Sequence, residues 1–312
     1  MAQGKRQIAA ALDIGSNTIK MLVVEQTDGK LSHLGDRTSE TRISHGKPYL
    51  SQNSMENGVN AIRALFEEMK SFDPDFVQIA ATSAVRDANN EADFQKKVQD
   101  ATGQSVDILT GEEEARLIAR GVLTDPELAN KNELMIFDMG GGSVECIHLL
   151  ARKTQLAKSL PLGGVRLLEK FVSEPANPLS SSEKEQVVNA ILEAVATLPL
   201  NVEDPLNTMA VGAGGTYVAS RSILAHRIGK DLSDSSPYLH LDDLRSVFEE
   251  VASLSLESRL KIPKLPPNRA DVFPVTLLAL ITLGEWAEIT QFYHSYHSLR
   301  WGMVDELLNG KA

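Results

Sequence analysis

The chain has little cysteine, no long hydrophobic run and few basic residues. Cys146 is its one cysteine among 312 residues, which excludes an intramolecular disulfide framework and a cysteine-rich metal site and favours the cytoplasm as its compartment. The N-terminal apolar run stops at Asp13, too early for a signal peptide. The most apolar segment, 275–283, is too short to span a bilayer, so we expect a buried helix there and no membrane contact.

The charge balance is acidic, with 31 lysines and arginines against 42 aspartates and glutamates and a net charge of −11. General nucleic-acid-binding proteins usually have basic surfaces, so we expect no nucleic-acid partner. A polyanionic ligand would need a local site of backbone N–H groups, arginines and bound divalent metal. The sequence has no G-x-S-x-G motif of a serine hydrolase, and His294 and His297 lack a matching set of acids or cysteines, so we expect them in the core or at the surface.

Glycine is concentrated in the segment FDMGGGSVECI, residues 137–147. Asp138 and the glycines Gly140, Gly141 and Gly142 follow an apolar run there, and the absence of Cβ atoms lets the N–H groups of such a turn approach a phosphate. After Ser143, apolar and polar residues alternate as in a half-buried strand. We therefore predict a β-hairpin, because the common nucleotide-binding glycine loops precede a helix instead.

The same construction occurs at the N-terminus, where an apolar run leads into Asp13, Gly15, Ser16 and Asn17 and then into a second predicted strand. The two aspartates are 125 positions apart. This internal repeat suggests two related α/β halves, each presenting a phosphate-binding hairpin to a cleft between them. The alternative is an ordinary glycine-rich turn whose aspartate caps the backbone.

Between the hairpins, strands and helices are expected to alternate, which predicts a sheet covered by helices. We expect one helix to start at a Ser54 cap and another to start at Asn90 and end near Gly103. The predicted domains are 1–124, with a C-terminal helix in 297–312 packing back on it, and 125–312.

A third glycine loop, formed by Gly212, Gly214, Gly215 and Thr216, leads from a predicted strand into a helix. The N-terminus of such a helix can bind an anion. Close packing of the strand–helix turn is an equally good explanation.

Two side chains between the hairpins could take part in chemistry. Thr110 and Glu113 fit a capping box, which leaves Glu114 without a structural role and makes it a candidate functional acid. Arg86 follows a predicted strand and could bind a phosphate through its fork of donors. Its alternative role is a surface ion pair with Asp87.

Seven segments resemble the exopolyphosphatase / guanosine pentaphosphate phosphohydrolase family, and they occur in the family's order along nearly the whole chain. They are ALDIGSNTIKMLVV, ATSAVRDANN, GEEEARLIARGVL, FDMGGGSVECI, SLPLGGVRLLEKF, VGAGGT and NRADVFP. The resemblance implies an α/β chain of two related actin-like, ribonuclease-H-like domains of the acetate kinase, sugar kinase and heat-shock-chaperone superfold, with a cleft between them.

The implied reaction is Mg²⁺-dependent hydrolysis of the terminal phosphoanhydride of inorganic polyphosphate, or of the 5′ γ-phosphate of guanosine pentaphosphate. Glu114 matches the glutamate proposed to activate water, Asp138 and Glu145 match positions used for metal binding or water positioning, and Arg86 matches a substrate-binding arginine. The expected phosphate-binding residues are Asp13, Gly15, Ser16, Asn17, Gly140, Gly141, Gly142, Ser143, Gly212, Gly214, Gly215 and Thr216.

Two departures from the family pattern affect these expectations. Longer members have further C-terminal helical domains, and their absence after Ala312 favours short polyphosphate chains as substrate. Lys20 stands where an arginine is common, which keeps the charge but not the bidentate fork. A nucleotide-dependent kinase and an actin-like switch of the same superfold remain alternatives, and a homodimer is the default assembly.

Overall fold

The computed structural model describes residues 6–44, 48–199 and 208–310. The chain divides into two compact units: unit 1 comprises Met1–Ala129 and His297–Ala312, and unit 2 comprises Asn130–Tyr296. Among the described residues, each unit contains one β-sheet with helices, so the mixed α/β class is confirmed. Within the described ranges, no helix combines the length and the apolar character that crossing a bilayer requires.

In the described part of unit 1, the sheet has five strands: β1 (Gln7–Ile14), β2 (Thr18–Thr27), β3 (Lys30–Glu40), β4 (Phe76–Ala81) and β5 (Val106–Ile108). Their order is β3-β2-β1-β4-β5. Strands β1 and β2 form the predicted antiparallel hairpin, whereas β1, β4 and β5 run parallel. The carboxyl ends of these three strands therefore meet at one edge of the sheet.

The sheet of unit 2 has six strands within the described ranges: β6 (Glu133–Met139), β7 (Val144–Leu150), β8 (Lys153–Leu160), β9 (Met209–Ala213), β10 (Tyr238–His240) and β11 (Gln291–His294). Read from β8, the order is β8-β7-β6-β9-β11-β10. Its first five positions repeat the order and directions of β3-β2-β1-β4-β5. The two related halves predicted from the 125-residue repeat are thus confirmed in the order and directions of their strands.

The helices lie between and after these strands. They are α1 (Gln52–Lys70), α2 (Ser83–Arg86), α3 (Glu91–Thr102), α4 (Gly111–Val122), α5 (Gly164–Phe171), α6 (Ser181–Val195), α7 (Gly215–Arg227), α8 (Leu241–Ser253), α9 (Leu256–Arg259), α10 (Phe273–Trp286) and α11 (Leu299–Asn309). Helix α10 is the expected buried helix: it is buried around almost its whole circumference and forms the centre of the unit 2 core.

Of the two expected helix starts, that of α1 was wrong and that of α3 was confirmed in position. Helix α1 begins at Gln52, since Ser51 is the cap and its hydroxyl accepts from the N–H of Ser54 at 3.1 Å. Asn90 does precede α3, but its side chain donates to and accepts from the backbone of Leu50, at 2.9 Å each, instead of capping the helix. The expected end of α3 is confirmed, because Gly103 has the left-handed conformation with φ 75°.

The half-buried character predicted for β7 was also wrong, because residues on both of its faces are buried. The polar side chains of the strand have hydrogen-bonding partners. His148 pairs with Glu133, with 2.7 Å between Nε2 and Oε1, and Glu145 accepts from the hydroxyl of Ser159 at 2.6 Å. The alternation in the sequence therefore reflects polar residues that are hydrogen-bonded in the interior.

Helix α11 packs on α4 and β1 within unit 1. A Cβ at Gly302 would overlap the carbonyl oxygen of Leu117, and one at Gly121 would overlap that of Ser298. Glycine at both positions therefore lets the two helices touch through their backbones. Arginines of α4 flank the crossing, with Arg120 bound to Asp305 of α11 at 2.5 Å.

Gly302→Ala should destabilise the protein by about 3 kcal/mol, because its methyl group would overlap backbone atoms that cannot move independently. Chemical denaturation monitored by circular dichroism measures this change. Gly35→Ala is the matched control: its methyl group meets only the ring of Phe72, at 2.9 Å, which can rotate away, so the change should stay below about 1 kcal/mol. Equal effects of the two substitutions would contradict the backbone contact.

Candidate active site

The two hairpins have the same local geometry. In unit 2 the N–H of Gly140 donates to the carbonyl of Ser143 at 2.9 Å, and in unit 1 the N–H of Gly15 donates to the carbonyl of Thr18 at 3.1 Å. Both donor and acceptor are displaced by the same 125 positions as the aspartates. The repeat in the sequence is therefore a repeat in backbone hydrogen bonding as well.

The carbonyl groups of the second hairpin loop are bound by the start of α5. The carbonyl of Gly140 accepts from the N–H of Gly164 at 3.0 Å, and that of Gly141 accepts from Val165 and Arg166 at 2.8 and 3.2 Å. The carbonyl of Gly142 accepts from Nε of Arg166 at 2.9 Å. The first turn of this helix is thus used to hold the loop.

The first hairpin loop is held in the same way by the segment that follows β3. The carbonyl of Asn17 accepts from the N–H groups of Thr41 and Arg42 at 3.0 and 3.1 Å, and the carbonyl of Ser16 accepts from the N–H of Ser44 at 3.3 Å. In both units, the residues after the third strand of the sheet therefore fix the carbonyl side of the loop.

The N–H groups of the two loops differ from the carbonyl groups in their hydrogen bonding. Among the described residues, none accepts a hydrogen bond from the N–H groups of Gly141, Gly142 and Ser143, or from those of Ser16 and Asn17. The hydroxyl of Ser16 is also buried without a partner among them. Successive backbone N–H groups without a protein acceptor are the kind of groups that can bind an anion. The described residues thus leave these N–H groups of both loops available.

The side chains opposite the two aspartates differ. Asp13 is the register partner of Lys20 across β1 and β2, whereas Asp138 is the partner of Glu145 across β6 and β7. Directly opposed residues of an antiparallel pair project from the same face. Unit 2 thus has two carboxylates on one face where unit 1 has an acid and a lysine.

The third glycine loop adjoins the second hairpin within unit 2. Gly214 has φ 104°, and a Cβ there would lie 2.6 Å from the carbonyl oxygen of Met139 and 3.1 Å from Oδ1 of Asp138. Helix α7 starts at Gly215, and Thr216 in its first turn is buried. Gly212 lies earlier, inside β9, where the ring of Tyr217 occupies the space that a side chain would need.

Three residues at these loops were not among the sequence-based candidates. The guanidinium of Arg269 lies directly against Gly215 at the start of α7, and Arg166 holds the carbonyl of Gly142. Gly163 precedes α5 with the second hairpin loop against it, so that a Cβ there would overlap the loop backbone. All three lie in the quoted segments SLPLGGVRLLEKF and NRADVFP, but no local pattern distinguishes them, since their contacts are distant in sequence.

Glu114 and Arg86 meet at the carboxyl edge of the unit 1 sheet. The predicted capping box is confirmed: Thr110 Oγ1 accepts from the N–H of Glu113, and Glu113 binds back to Thr110. Glu114 is buried, and its Oε2 accepts from Nη1 of Arg86 at 2.9 Å. Asp87 is farther from Arg86, at 3.8 Å, so Glu114 is the closer carboxylate partner of this arginine.

The backbone places this pair beside the first hairpin. The N–H of Thr82, which precedes α2, donates to the carbonyl of Ile14 at 3.2 Å, and the N–H of Leu109 donates to the carbonyl of Ala81 at 2.9 Å. These bonds join the ends of β1, β4 and β5. The first hairpin, Arg86 and Glu114 thus come from three neighbouring strands of one sheet.

Two buried groups near the second hairpin are held in their neutral forms. Burial, and secondarily the charge of Asp138, raises the pKa of Tyr217 well above its usual value. Burial and the charge of Glu145 likewise raise the pKa of the Cys146 thiol. Since a nucleophilic cysteine needs an accessible thiolate, Cys146 has the properties of a packing residue.

His294 and His297 lie in different units. In unit 2, Nδ1 of His294 accepts from Nη1 of Arg221 at 3.0 Å, and burial, together with this arginine, lowers the pKa of His294 to about 3. In unit 1, His297 stacks on Trp301 and lies 2.7 Å from the hydroxyl of Thr124. In the described part of the chain, no group of three or more histidine, cysteine or acidic side chains could hold a metal ion.

The depressed pKa of His294 predicts a pH dependence of stability. Its neutral form stabilises the fold above the usual histidine pKa, near 6.5, and this contribution is lost as the pH falls towards 3, at up to about 1.4 kcal/mol per pH unit. Urea unfolding between pH 7 and 4 measures the slope. His294→Gln keeps an acceptor for Arg221 and should reduce the slope by the contribution of one proton taken up on unfolding. The exposed control His226→Gln should not have this effect. An unchanged slope in His294→Gln would contradict the assignment.

Comparison with known proteins gives a consistent picture. The model of the Ppx/GppA phosphatase family matches residues 22–311. The fold is similar to the crystal structure of the Aquifex aeolicus member of the Ppx/GppA family, with 23% identity, a TM-score of 0.79 and coverage of 99% of this chain and 100% of that one. It is also similar to the crystal structure of an exopolyphosphatase from Cytophaga hutchinsonii, with 22% identity, a TM-score of 0.88 and coverage of 98% and 99%.

Proposed function

Because the chain belongs to the Ppx/GppA phosphatase family and is therefore a phosphoanhydride hydrolase, we propose that it is an exopolyphosphatase. It would hydrolyse the terminal phosphoanhydride of inorganic polyphosphate with Mg²⁺. The similar Cytophaga hutchinsonii structure is named an exopolyphosphatase, which supports this choice of substrate. Guanosine pentaphosphate, which ends in the same type of bond, is the alternative substrate. The cytoplasmic location and the homodimer stay predictions.

The observation behind the proposal is the repeated hairpin with its carbonyl groups bound and its N–H groups available among the described residues. Backbone N–H groups bind phosphate oxygens without adding net charge. They therefore let a protein of net charge −11 hold a polyanion at a local site. Arg269, whose guanidinium lies against Gly215 at the start of α7, would add a positive charge in unit 2.

The donor chemistry of unit 2 fits Mg²⁺. This ion usually takes one or two protein carboxylates and completes its octahedral shell with water and substrate phosphate oxygens. Asp138 and Glu145, on one face of the β6–β7 pair, are such a donor set. When bound, Mg²⁺ would neutralise charge on the phosphate oxygens.

The protein's own residues would do the remaining work. Transfer of a terminal phosphoryl group to water requires an in-line water and stabilised charge, with little covalent help from the protein. In this proposal the N–H groups of the first hairpin bind a terminal phosphate, Arg86 binds a phosphate oxygen, and the carboxylate of Glu114 orients the attacking water and accepts its proton. The bond from water oxygen to phosphorus forms as the bridging P–O bond breaks, and the shortened polyphosphate leaves with the electron pair.

The first test is phosphate release from polyphosphates of graded chain length, from guanosine pentaphosphate and from ATP, each with Mg²⁺ and with EDTA. We expect release from polyphosphate that exceeds release from the nucleotides by at least about tenfold and that disappears with EDTA. The length series tests the expected preference for short chains. Preference for guanosine pentaphosphate would replace the proposed substrate by the alternative, and release from none of them would reject the function.

Glu114→Gln should lower kcat on polyphosphate by about 100-fold or more, since a positioned general base contributes on this scale, while polyphosphate binding should persist. The matched control is Glu112→Gln, which makes the same change at an exposed position of the same helical turn and should leave kcat within about twofold. Phosphate release and equilibrium binding of tripolyphosphate measure the two quantities. Near-normal turnover of Glu114→Gln would remove Glu114 as the base.

A further inference from the structure

The guanidinium of Arg86 is held at one of its nitrogens by two different acceptors. Nη1 donates to the carbonyl of Leu109 at 2.7 Å and to Oε2 of Glu114 at 2.9 Å. Leu109 lies between β5 and α4, the helix that bears Glu114. The arginine is therefore fixed both to the carboxylate and to the backbone just before the helix of that carboxylate.

The other two guanidinium nitrogens of Arg86, Nη2 and Nε, differ from Nη1 in their contacts. Among the residues that the structure describes, Nη2 has no hydrogen-bond partner, and Nε has Asp87 only at 3.8 Å. The side chain of Arg86 is 22% exposed, whereas that of Glu114 is 8% exposed. A guanidinium has five N–H donors in a fixed plane, so it can keep the carboxylate on one nitrogen and bind an anion with the others.

The contact between Arg86 and Glu114 is important because the carboxyl group of Glu114 is buried. An ionised carboxylate in the interior is strongly disfavoured unless a charged or hydrogen-bonding partner compensates for lost hydration. A base that activates water must also be held in one direction, because a displacement of about 1 Å can lower a rate by about 100-fold. Arg86 meets both requirements for Glu114 through a single contact.

We propose that Arg86 is a positioning residue for Glu114 as well as a ligand for phosphate, so that one guanidinium couples substrate binding to the orientation of the base. This inference rests on the proposed function. Nη1 keeps the carboxylate of Glu114 in place, while Nη2 and Nε bind a terminal phosphate oxygen. The phosphate and the base are then held at a fixed distance from each other by one rigid plane.

The test is a double-mutant cycle of Arg86→Lys and Glu114→Gln, with kcat and tripolyphosphate binding measured separately. Lysine keeps the charge but cannot bridge a carboxylate and a phosphate in a fixed plane. We expect Arg86→Lys to lower kcat by about tenfold when Glu114 is present and by less than about twofold in the Glu114→Gln background. The loss of binding affinity should be the same in both backgrounds.

The matched control is Arg116→Lys, since Arg116 lies on α4 and pairs with a different carboxylate, Glu306 of α11. It should leave kcat within about twofold. An equal loss of kcat from Arg86→Lys in both backgrounds would mean that Arg86 acts on the phosphate alone, and a change in KM without a change in kcat would mean the same. Either result overturns the positioning role.

A second measurement separates this inference from the proposed function. The midpoint temperatures of Arg86→Gln, Glu114→Gln and the double variant should be non-additive, because Arg86→Gln leaves the buried carboxylate without this partner and Glu114→Gln removes that charge. Additive losses overturn the pairing whether or not the protein hydrolyses polyphosphate. Non-additive losses in a protein that hydrolyses none of the substrates would support the pairing and reject the function.

Discussion

The conformation of the two hairpin loops depends on the hydrogen bonds to their carbonyl groups, and the proposed chemistry depends on that conformation. A glycine-rich turn by itself has many conformations. Here the segment after the third strand of each sheet binds the loop carbonyls, through Thr41, Arg42 and Ser44 in unit 1 and through Gly164, Val165 and Arg166 in unit 2. These hydrogen bonds fix the orientation of the loop peptide groups, so their N–H groups have a defined direction before any ligand binds.

The repeated units are similar in backbone but not in charge. Asp13 faces Lys20, while the equivalent Asp138 faces Glu145. An acid with a lysine is compensated within the protein, whereas two acids on one face favour a cation. Under the proposed function, the duplicated hairpin would bind phosphate by its backbone in both units, and the side chains opposite the aspartates would assign metal binding to unit 2 alone.

Much of this fold could be predicted because its signals are local. An apolar run, an aspartate and glycines before a second apolar run specify a hairpin, and Thr110 with Glu113 specifies the start of α4. The short helix α2 was not predicted, since four residues have no periodicity to detect. Gly163, Arg166 and Arg269 were missed because they act on loops that are distant in sequence.

The position of Glu114 nevertheless left a signal in the sequence. The buried residues of α4 include Glu114, Ala115, Leu117, Ile118 and Gly121, so the glutamate occupies the first position of an apolar stripe. Since Glu113 turns back to the capping box and Glu112 is exposed, the helix itself directs the third acid of the row inward. An ionised side chain in such a stripe requires a partner from another element, and the geometry of β4 and β5 brings Arg86 to it. The sequence thus indicates that a partner must exist, while the parallel pairing of the strands decides which residue it is.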